Sequence, residues 1–243
     1  MNVLAIDAGN SRIKWGLADD HGWTRRAFLD TVDAVNLAGQ LEGSTAPARI
    51  VISNVAGEAV RAALSTALTQ HSVAPLWVQG REQQCGVRSG YANPAQLGAD
   101  RWAGVIAAWS LYSCACVVIN AGTTMTVDAL SADGVFLGGV IVPGLDLMRN
   151  SLSAGTAQLK LQQGAFYYFP DNTGDAIYSG ALNALAGTID RMSAYMEESG
   201  QGTPLVVISG GAAALIKPRL NVRTELVDNL VLEGLLIIAK EEA

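Results

Sequence analysis

The segment at residues 3–20, VLAIDAGNSRIKWGLADD, is repeated in outline at residues 117–133, VVINAGTTMTVDALSAD. Asp7-Ala8-Gly9-Asn10-Ser11 aligns with Asn120-Ala121-Gly122-Thr123-Thr124. In each copy an apolar strand runs into a small, polar, glycine-centred turn, and a second strand leaves it. A chain built this way consists of two versions of one unit. Two such turns, each with free backbone N–H groups and short hydroxyl or amide side chains, make a clamp for a polyphosphate if they face each other across a cleft.

The residue types suit that use. A glycine in third position permits φ > 0 and lets a ligand approach without a Cβ in the way. Asn10, Ser11, Thr123 and Thr124 are short hydrogen-bonding groups that reach a phosphate oxygen. Lys14, three residues past Ser11 on the returning strand, supplies a point charge. Asp7 ends a strand, where α/β folds place their chemistry, and is a candidate to hold hydrated Mg²⁺. Each turn taken alone also reads as an ordinary hairpin, since Asn, Gly and Ser favour turns. The duplication, with its flanking strands in register, favours the clamp.

At 243 residues the repeat predicts two domains, 1–115 and 116–243. Half of the residues are hydrophobic and 6% are aromatic, the composition of an α/β protein with helices close against sheets. The net charge of −6, with no basic run longer than Arg25-Arg26, argues against a nucleic-acid partner. Cys85, Cys114 and Cys116 form no disulfide framework, and no His or further Cys lies near Cys114-x-Cys116 to complete a metal site. Residues 102–127 lack charge, yet Ser110, Ser113, Asn120, Gly122 and three threonines interrupt them. They parse as helix, strand and turn, so no membrane span is expected. The N-terminus enters its first strand without signal-like regions, and a cytoplasmic location is expected.

Alternation predicts strands at 3–7, 12–18 and 23–29, then at 49–54 and 76–79, with an amphipathic helix over 57–70. Residues 85–94, CGVRSGYANP, read as a loop, and Asn93-Pro94 opens a helical stretch that breaks at Gly98 and ends near 110. The second half repeats the order. Strands are expected at 117–120, 125–130, 135–142 and 205–209, with helices after Pro143-Gly144, over 174–197 and over 228–240. Three hairpin strands followed by alternating helices and strands, twice over, describe an α/β protein of two duplicated ribonuclease-H-like domains.

With both turns placed, the chain resembles the acetate and sugar kinase, Hsp70 and actin superfamily, and within it the type III pantothenate kinases. The resemblance spans the whole chain. It rests on Asp7-x-Gly9-Asn10-Ser11-x-x-Lys14, on Gly98-Ala99-Asp100-Arg101, and on Gly122-Thr123 with Asp128. It also rests on Gly138-Gly139-x-x-x-Pro143-Gly144 and on Asn172-Thr173…Ser179-Gly180. The Gly-x-Asp-Arg element between the two turns is its most specific part.

The resemblance implies ATP-dependent phosphorylation of pantothenate, the first step of coenzyme A synthesis. It implies that Asp7, Ala8, Gly9, Asn10, Ser11, Arg12, Ile13 and Lys14 wrap the ATP phosphates and that Thr123 closes on them. Tyr91, Gly98, Ala99, Asp100 and Arg101 would bind pantothenate, with Arg101 on its carboxylate and Asp100 as general base. A homodimer is implied, in which Thr173 reaches the shared substrate site. Mg²⁺ is implied, held in part by Asp7, and a monovalent cation, K⁺ or NH₄⁺, beside the second turn. Where the family usually has Asp, this chain has Asn120, which brings no negative charge, so little K⁺ stimulation is expected.

Several of these residues have a second reading from spacing alone. Asp100 fits the cap of the helix that follows, a role that lowers a carboxyl pKa. Arg101 fits a solvated helix face, and Tyr91 a plug between loop and core. Thr173 and Asn172 are equal candidates for a helix N-cap. Gly210-Gly211 suits either an adenine contact or close helix packing. His21 and His71 lie outside every candidate site. Two other functions share the fold: a kinase for another small hydroxy compound, and a nucleotide-dependent switch acting on a partner. Arg101 calls for an anionic substrate, and a switch has no use for Asp100 beside it.

Overall fold

Alternating apolar residues set the first sheet. In a computed structural model, which describes residues 1–155 and 163–241, β1 (Val3–Ala8), β2 (Arg12–Asp19) and β3 (Gly22–Asp30) form an antiparallel meander. A 3₁₀ turn, Thr31–Asn36, and the single-turn α1 (Leu37–Gln40) lead to β4 (Arg49–Asn54), which pairs parallel with β1. Leu4, Ile6 and Ala8, with Ile13, Trp15, Ile50 and Ile52, turn one face of the sheet into a core. The helix α2 (Glu58–Ala67) adds Leu64 to it. Gly57, at φ +92, occupies the helix N-cap. The short β5 (Leu76–Trp77) pairs parallel with β4 and completes the order β3-β2-β1-β4-β5.

The segment read as a loop over 85–94 begins inside a hairpin. β6 (Gln83–Gln84) and β7 (Val87–Ser89) pair antiparallel through Cys85 at φ 49 and Gly86 at φ 79. Two consecutive left-handed residues are what a two-residue hairpin with the right twist requires. Cys85 is an unusual residue there, and Glu241 supports it by accepting the Cys85 N–H at 2.7 Å. A 3₁₀ turn, Pro94–Gln96, is capped by Asn93, and after Gly98 the helix α3 (Ala99–Tyr112) begins.

The second sheet repeats the plan. β8 (Cys116–Ala121), β9 (Thr124–Leu130) and β10 (Val135–Pro143) form a meander, and α4 (Leu145–Gly155) follows. The long α5 (Thr173–Glu198) precedes β11 (Leu205–Ser209), which pairs parallel with β8. The single-turn α6 (Ala213–Ile216) leads to β12 (Thr224–Leu226), parallel to β11. The order β10-β9-β8-β11-β12 matches that of the first sheet strand for strand. Leu182, Leu185 and Ile189 of α5 pack on Val117, Ile119, Val127 and Ile208.

The chain divides into two compact units, Met1–Leu111 with the C-terminal helix from Asn229, and Tyr112–Asp228. The last helix, α7 (Leu230–Glu241), expected from its place in the sequence to belong to the second half, therefore packs with the first. It covers the other face of β1, β4 and β2. Arg49 donates to the Ala239 carbonyl at 2.8 Å, Trp23 donates through Nε1 to Glu233 at 2.7 Å, and Gly234 lies against the Ala103 backbone of α3. The physical reason is that Val3, Ala5 and Val51 on that face are buried apolar residues that α2 cannot reach. Among the described residues no helix is long and apolar enough to cross a membrane.

Candidate active site

Strand alternation separates the chemistry from the core at the end of β1. Leu4, Ile6 and Ala8 face the core, so Asp7 lies on the opposite face, the one α7 covers. The register sets Asp7 opposite Lys14 of β2 and beside Ser53 of β4. Asp7 is 7% exposed. Burial pushes its carboxyl up to about 7, against the pull of the Lys14 charge, and the nearby Asp100 charge pushes it further. The Lys14 ammonium and the Asp100 carboxylate, both half-buried, are thus near enough to the buried Asp7 to act on its charge, and all three belong to the first unit.

Asp100 comes from the first turn of α3. Its Oδ1 accepts the N–H of its chain neighbour Arg101 at 2.8 Å; as the second residue of α3 it lies inside the first turn, so it is not the N-cap that its spacing suggested. Its pKa is nevertheless raised, not lowered. Burial dominates, and the hydrogen bond and charge of Arg101 offset it only in part. Gly98 makes room for this carboxylate, since a Cβ there would lie 2.8 Å from Asp100 Oδ1. Ala99 starts α3 with its side chain buried. Arg101 is 8% exposed, which removes the solvated reading. Its Nη1 donates to the Tyr91 hydroxyl at 3.1 Å, and its guanidinium stands 5.9 Å from the Tyr91 ring centroid. Tyr91 is thereby tied to the arginine beside Asp100 rather than only plugging a loop.

The two glycine turns differ from expectation in one respect. Neither Gly9 nor Gly122 takes a positive φ. An added Cβ would meet the Arg12 carbonyl at 3.3 Å or the Thr124 carbonyl at 3.6 Å, so glycine here leaves the turn surface bare. Asn10, Ser11 and Arg12 are exposed in the first turn, and Gly122, Thr123 and Thr124 in the second. The side chains of Ala8 and Ile13 point into the core, so only their backbone faces outward. Thr31 braces the first turn, donating its hydroxyl to the Gly9 carbonyl at 2.7 Å and its N–H to the Ser11 carbonyl at 3.1 Å.

The second turn is braced by Gly144, whose N–H donates to the Thr123 carbonyl at 2.9 Å. Gly210, at φ +102, lies so close to Ala121 that a Cβ would sit 2.5 Å from its carbonyl oxygen. Gly210 is therefore committed to packing, whereas Gly211 has open space around it. Pairing also shows the second turn to be one residue shorter: Asp7 and Ala8 pair with Lys14 and Ile13, but Asn120 and Ala121 with Thr126 and Met125. The place of Lys14 is taken by Thr126, and that of Asp7 by the half-buried Asn120. Asp7 and Lys14 therefore have no charged counterparts at the matching positions of the second unit.

Asn172 wins the N-cap of α5, its Oδ1 accepting the Asp175 N–H at 3.0 Å. That leaves Thr173 exposed at a groove of about 800 Å³ between α4 and α5, lined also by Met148, Leu152, Ala176, Gly180 and Ala184. Among the described residues no cluster of three or more His, Cys, Asp or Glu could hold a metal ion by itself. The pair Asp7 and Asp100 fits a cation of the kind that keeps its waters and is shared with substrate phosphates. Cys114 and Cys116 lie with their sulfurs 3.9 Å apart.

Ser53 was not anticipated. A signal was present: Val51-Ile52-Ser53 and Val207-Ile208-Ser209 spell the same three residues, and Ser209 stands beside Asn120 as Ser53 stands beside Asp7.

Residues 3–195 match the family model for type III pantothenate kinase. A type III pantothenate kinase of Nitrosospira multiformis is 48% identical over 239 residues, covering 98% of this chain and 91% of that protein. Among solved structures, a putative 2-dehydro-3-deoxygalactonokinase from Sinorhizobium meliloti superposes with a TM-score of 0.63 at 15% identity, covering 99% of each chain. A putative Baf family transcriptional activator from Campylobacter jejuni reaches 0.62 at 20% identity, covering 98% of each. These structural likenesses bear out the actin-like, sugar-kinase fold expected from the duplicated strand order.

Proposed function

Since the chain belongs to the type III pantothenate kinase family, enzymes that phosphorylate pantothenate with ATP at the start of coenzyme A synthesis, we propose how its residues divide that work. The nearness of the Lys14 and Asp100 charges to the buried Asp7, with Arg101 next in the chain to Asp100 and bonded to Tyr91, is the observation that carries the reading. The first turn, from Asp7 to Lys14, holds the ATP phosphates, with Thr123 of the second turn on the same chain of phosphates. Lys14 places a positive charge among the phosphate oxygens. Asp7 would hold the divalent cation, Mg²⁺, which when bound would neutralise charge on the phosphates.

Asp100 receives the proton of the pantothenate primary hydroxyl. The new O–P bond forms as the bond from the γ-phosphorus to the bridging oxygen breaks, and ADP leaves. Such transfers have a loose transition state and depend on alignment more than on a strong base. Burial of Asp100 keeps its basicity above that of an exposed capping carboxylate. Exclusion of water from around Asp100 once both substrates are bound would suppress hydrolysis. The groove bearing Thr173, with Tyr168 and Phe169 exposed just before it in the chain, supports a homodimer in which Thr173 serves the partner's pantothenate site. ATP as phosphoryl donor favours a cytoplasmic enzyme.

A coupled ADP-release assay with ATP, Mg²⁺ and pantothenate tests the assignment. Turnover is expected with pantothenate and not with acetate, glucose or N-acetylglucosamine. Arg101→Lys should raise the pantothenate KM roughly tenfold with a smaller change in kcat, because a lysine cannot reproduce a forked pair to a carboxylate. An unchanged KM would remove Arg101 from substrate binding.

Asn120 carries the second expectation. Without a carboxylate at this position a monovalent cation is held weakly, so KCl in place of NaCl at equal ionic strength should change the rate little. Strong, saturable activation by K⁺ would overturn this.

A further inference from the structure

Ser53 ends β4 with its side chain fully buried, and its hydroxyl has no hydrogen-bond partner. Leaving a buried hydroxyl unpaired costs on the order of 1–3 kcal/mol, and folded proteins seldom do so without a reason. The surroundings point to one. Ile50 and Ile52 face the core, so Ser53 faces the other way, onto the same side of the sheet as Asp7. The register lays out a row across the strand ends, Lys14–Asp7–Ser53, with Asp100 close enough to Asp7 for its charge to be felt. The second unit holds the uncharged counterpart, Thr126–Asn120–Ser209, and there the serine is engaged in an interaction. The unsatisfied hydroxyl thus belongs to the row that bears the charges.

We propose that Ser53 is a positioning residue of the cation and phosphate site: its hydroxyl hydrogen-bonds to the water shell of the divalent cation beside Asp7. This rests on the reading of Asp7 as the cation-side carboxylate. A serine suits the task, since its oxygen accepts from a metal-bound water while its O–H stays available to the neighbouring carboxylate. Outer partners of this kind set the orientation of metal ligands, and losing one typically weakens metal binding by about 10- to 100-fold.

The test is Mn²⁺ binding, followed by electron paramagnetic resonance on the full-length protein with a non-hydrolysable ATP analogue. Ser53→Ala is expected to weaken Mn²⁺ about tenfold or more and to raise the Mg²⁺ concentration for half-maximal turnover in parallel. Pantothenate affinity should not move. The ligand-free Ser53→Ala protein should melt at the same temperature as wild type or higher, because the variant removes an unpaired buried group. Ser53→Cys, which keeps the side-chain shape but exchanges a strong hydrogen-bonding group for a weak one, should follow alanine. If wild type binds Mn²⁺ and both variants bind it equally well, Ser53 is only a small core residue and the inference falls. If the ligand-free variants melt well below wild type, the role is structural and it falls as well. If wild type itself binds no Mn²⁺ in the presence of nucleotide, the assignment of Asp7 fails, and this inference goes with it.

Discussion

The Asp100→Asn enzyme is expected to fold and bind ATP normally while its kcat drops roughly a hundredfold or more. The substitution is well matched to the site. An asparagine oxygen can still accept the Arg101 N–H that Asp100 accepts at 2.8 Å, so the start of α3 keeps its hydrogen bond. What disappears is the ability to take a proton from the pantothenate hydroxyl. The loose transition state of phosphoryl transfer sets the scale of the loss, since alignment and phosphate neutralisation remain in place. Melting temperature, ATP titration and steady-state ADP release measure the three parts separately. Near-normal turnover would take Asp100 out of the mechanism, and weak ATP binding would show that the variant damaged more than the base.

Asp7→Asn should do two things at once: abolish most activity and stabilise the ligand-free protein at alkaline pH. Burial raises the Asp7 pKa from 3.8 to about 7 in the folded state. The folded protein then holds this proton more tightly than the unfolded chain, so stability from this group declines as pH rises from about 4 to about 7. Above that window the ionised carboxylate costs up to about 4 kcal/mol, taken as a ceiling from roughly three pKa units. The Lys14 charge acts against the shift, and the half-buried Asp100 adds to it. The amide that replaces the carboxyl in the variant has no such proton to lose. Thermal melts of the two proteins should therefore diverge between about pH 4 and pH 8, with the variant higher at pH 8, while ADP release falls by roughly two or more orders of magnitude. Parallel melting curves at every pH would show that Asp7 is not held neutral by burial. A bound cation should close the gap at alkaline pH, because it favours the ionised carboxylate in wild type alone.

Much of this was legible in the chain because strand signals are local. The bounds expected for β4 and β11, 49–54 and 205–209, coincide with the structure, and the helix over 174–197 differs from α5 by one residue at each end. Apolar alternation and caps are written within a few residues of where they act. The misses were non-local. The hairpin of β6 and β7 turns on a cysteine at φ 49, a residue that announces no such turn, and its support comes from Glu241 at the far end of the chain. The helix over 228–240 was visible, but an apolar pattern does not state which sheet it covers. The turn alignment matched glycines and missed that the second turn is one residue shorter, so the counterpart of Lys14 is Thr126.

The duplicated phrase, the Gly98–Arg101 tetrad and the apolar periodicities sufficed to establish the architecture and the family, and to nominate the principal residues. Strand order and side-chain chemistry are encoded by neighbours in sequence, and both can be read along the chain. Only the tertiary structure decided the electrostatics. Asp100 looks from its spacing like a capped, acidic carboxyl, and burial reverses that. Asp7 looks like an ordinary strand-end aspartate, and burial brings it near neutrality. Ser53 looks like any strand serine until the register sets it, unpaired, beside Asp7. Desolvation depends on everything that surrounds a group, and most of what surrounds these three lies far away along the chain.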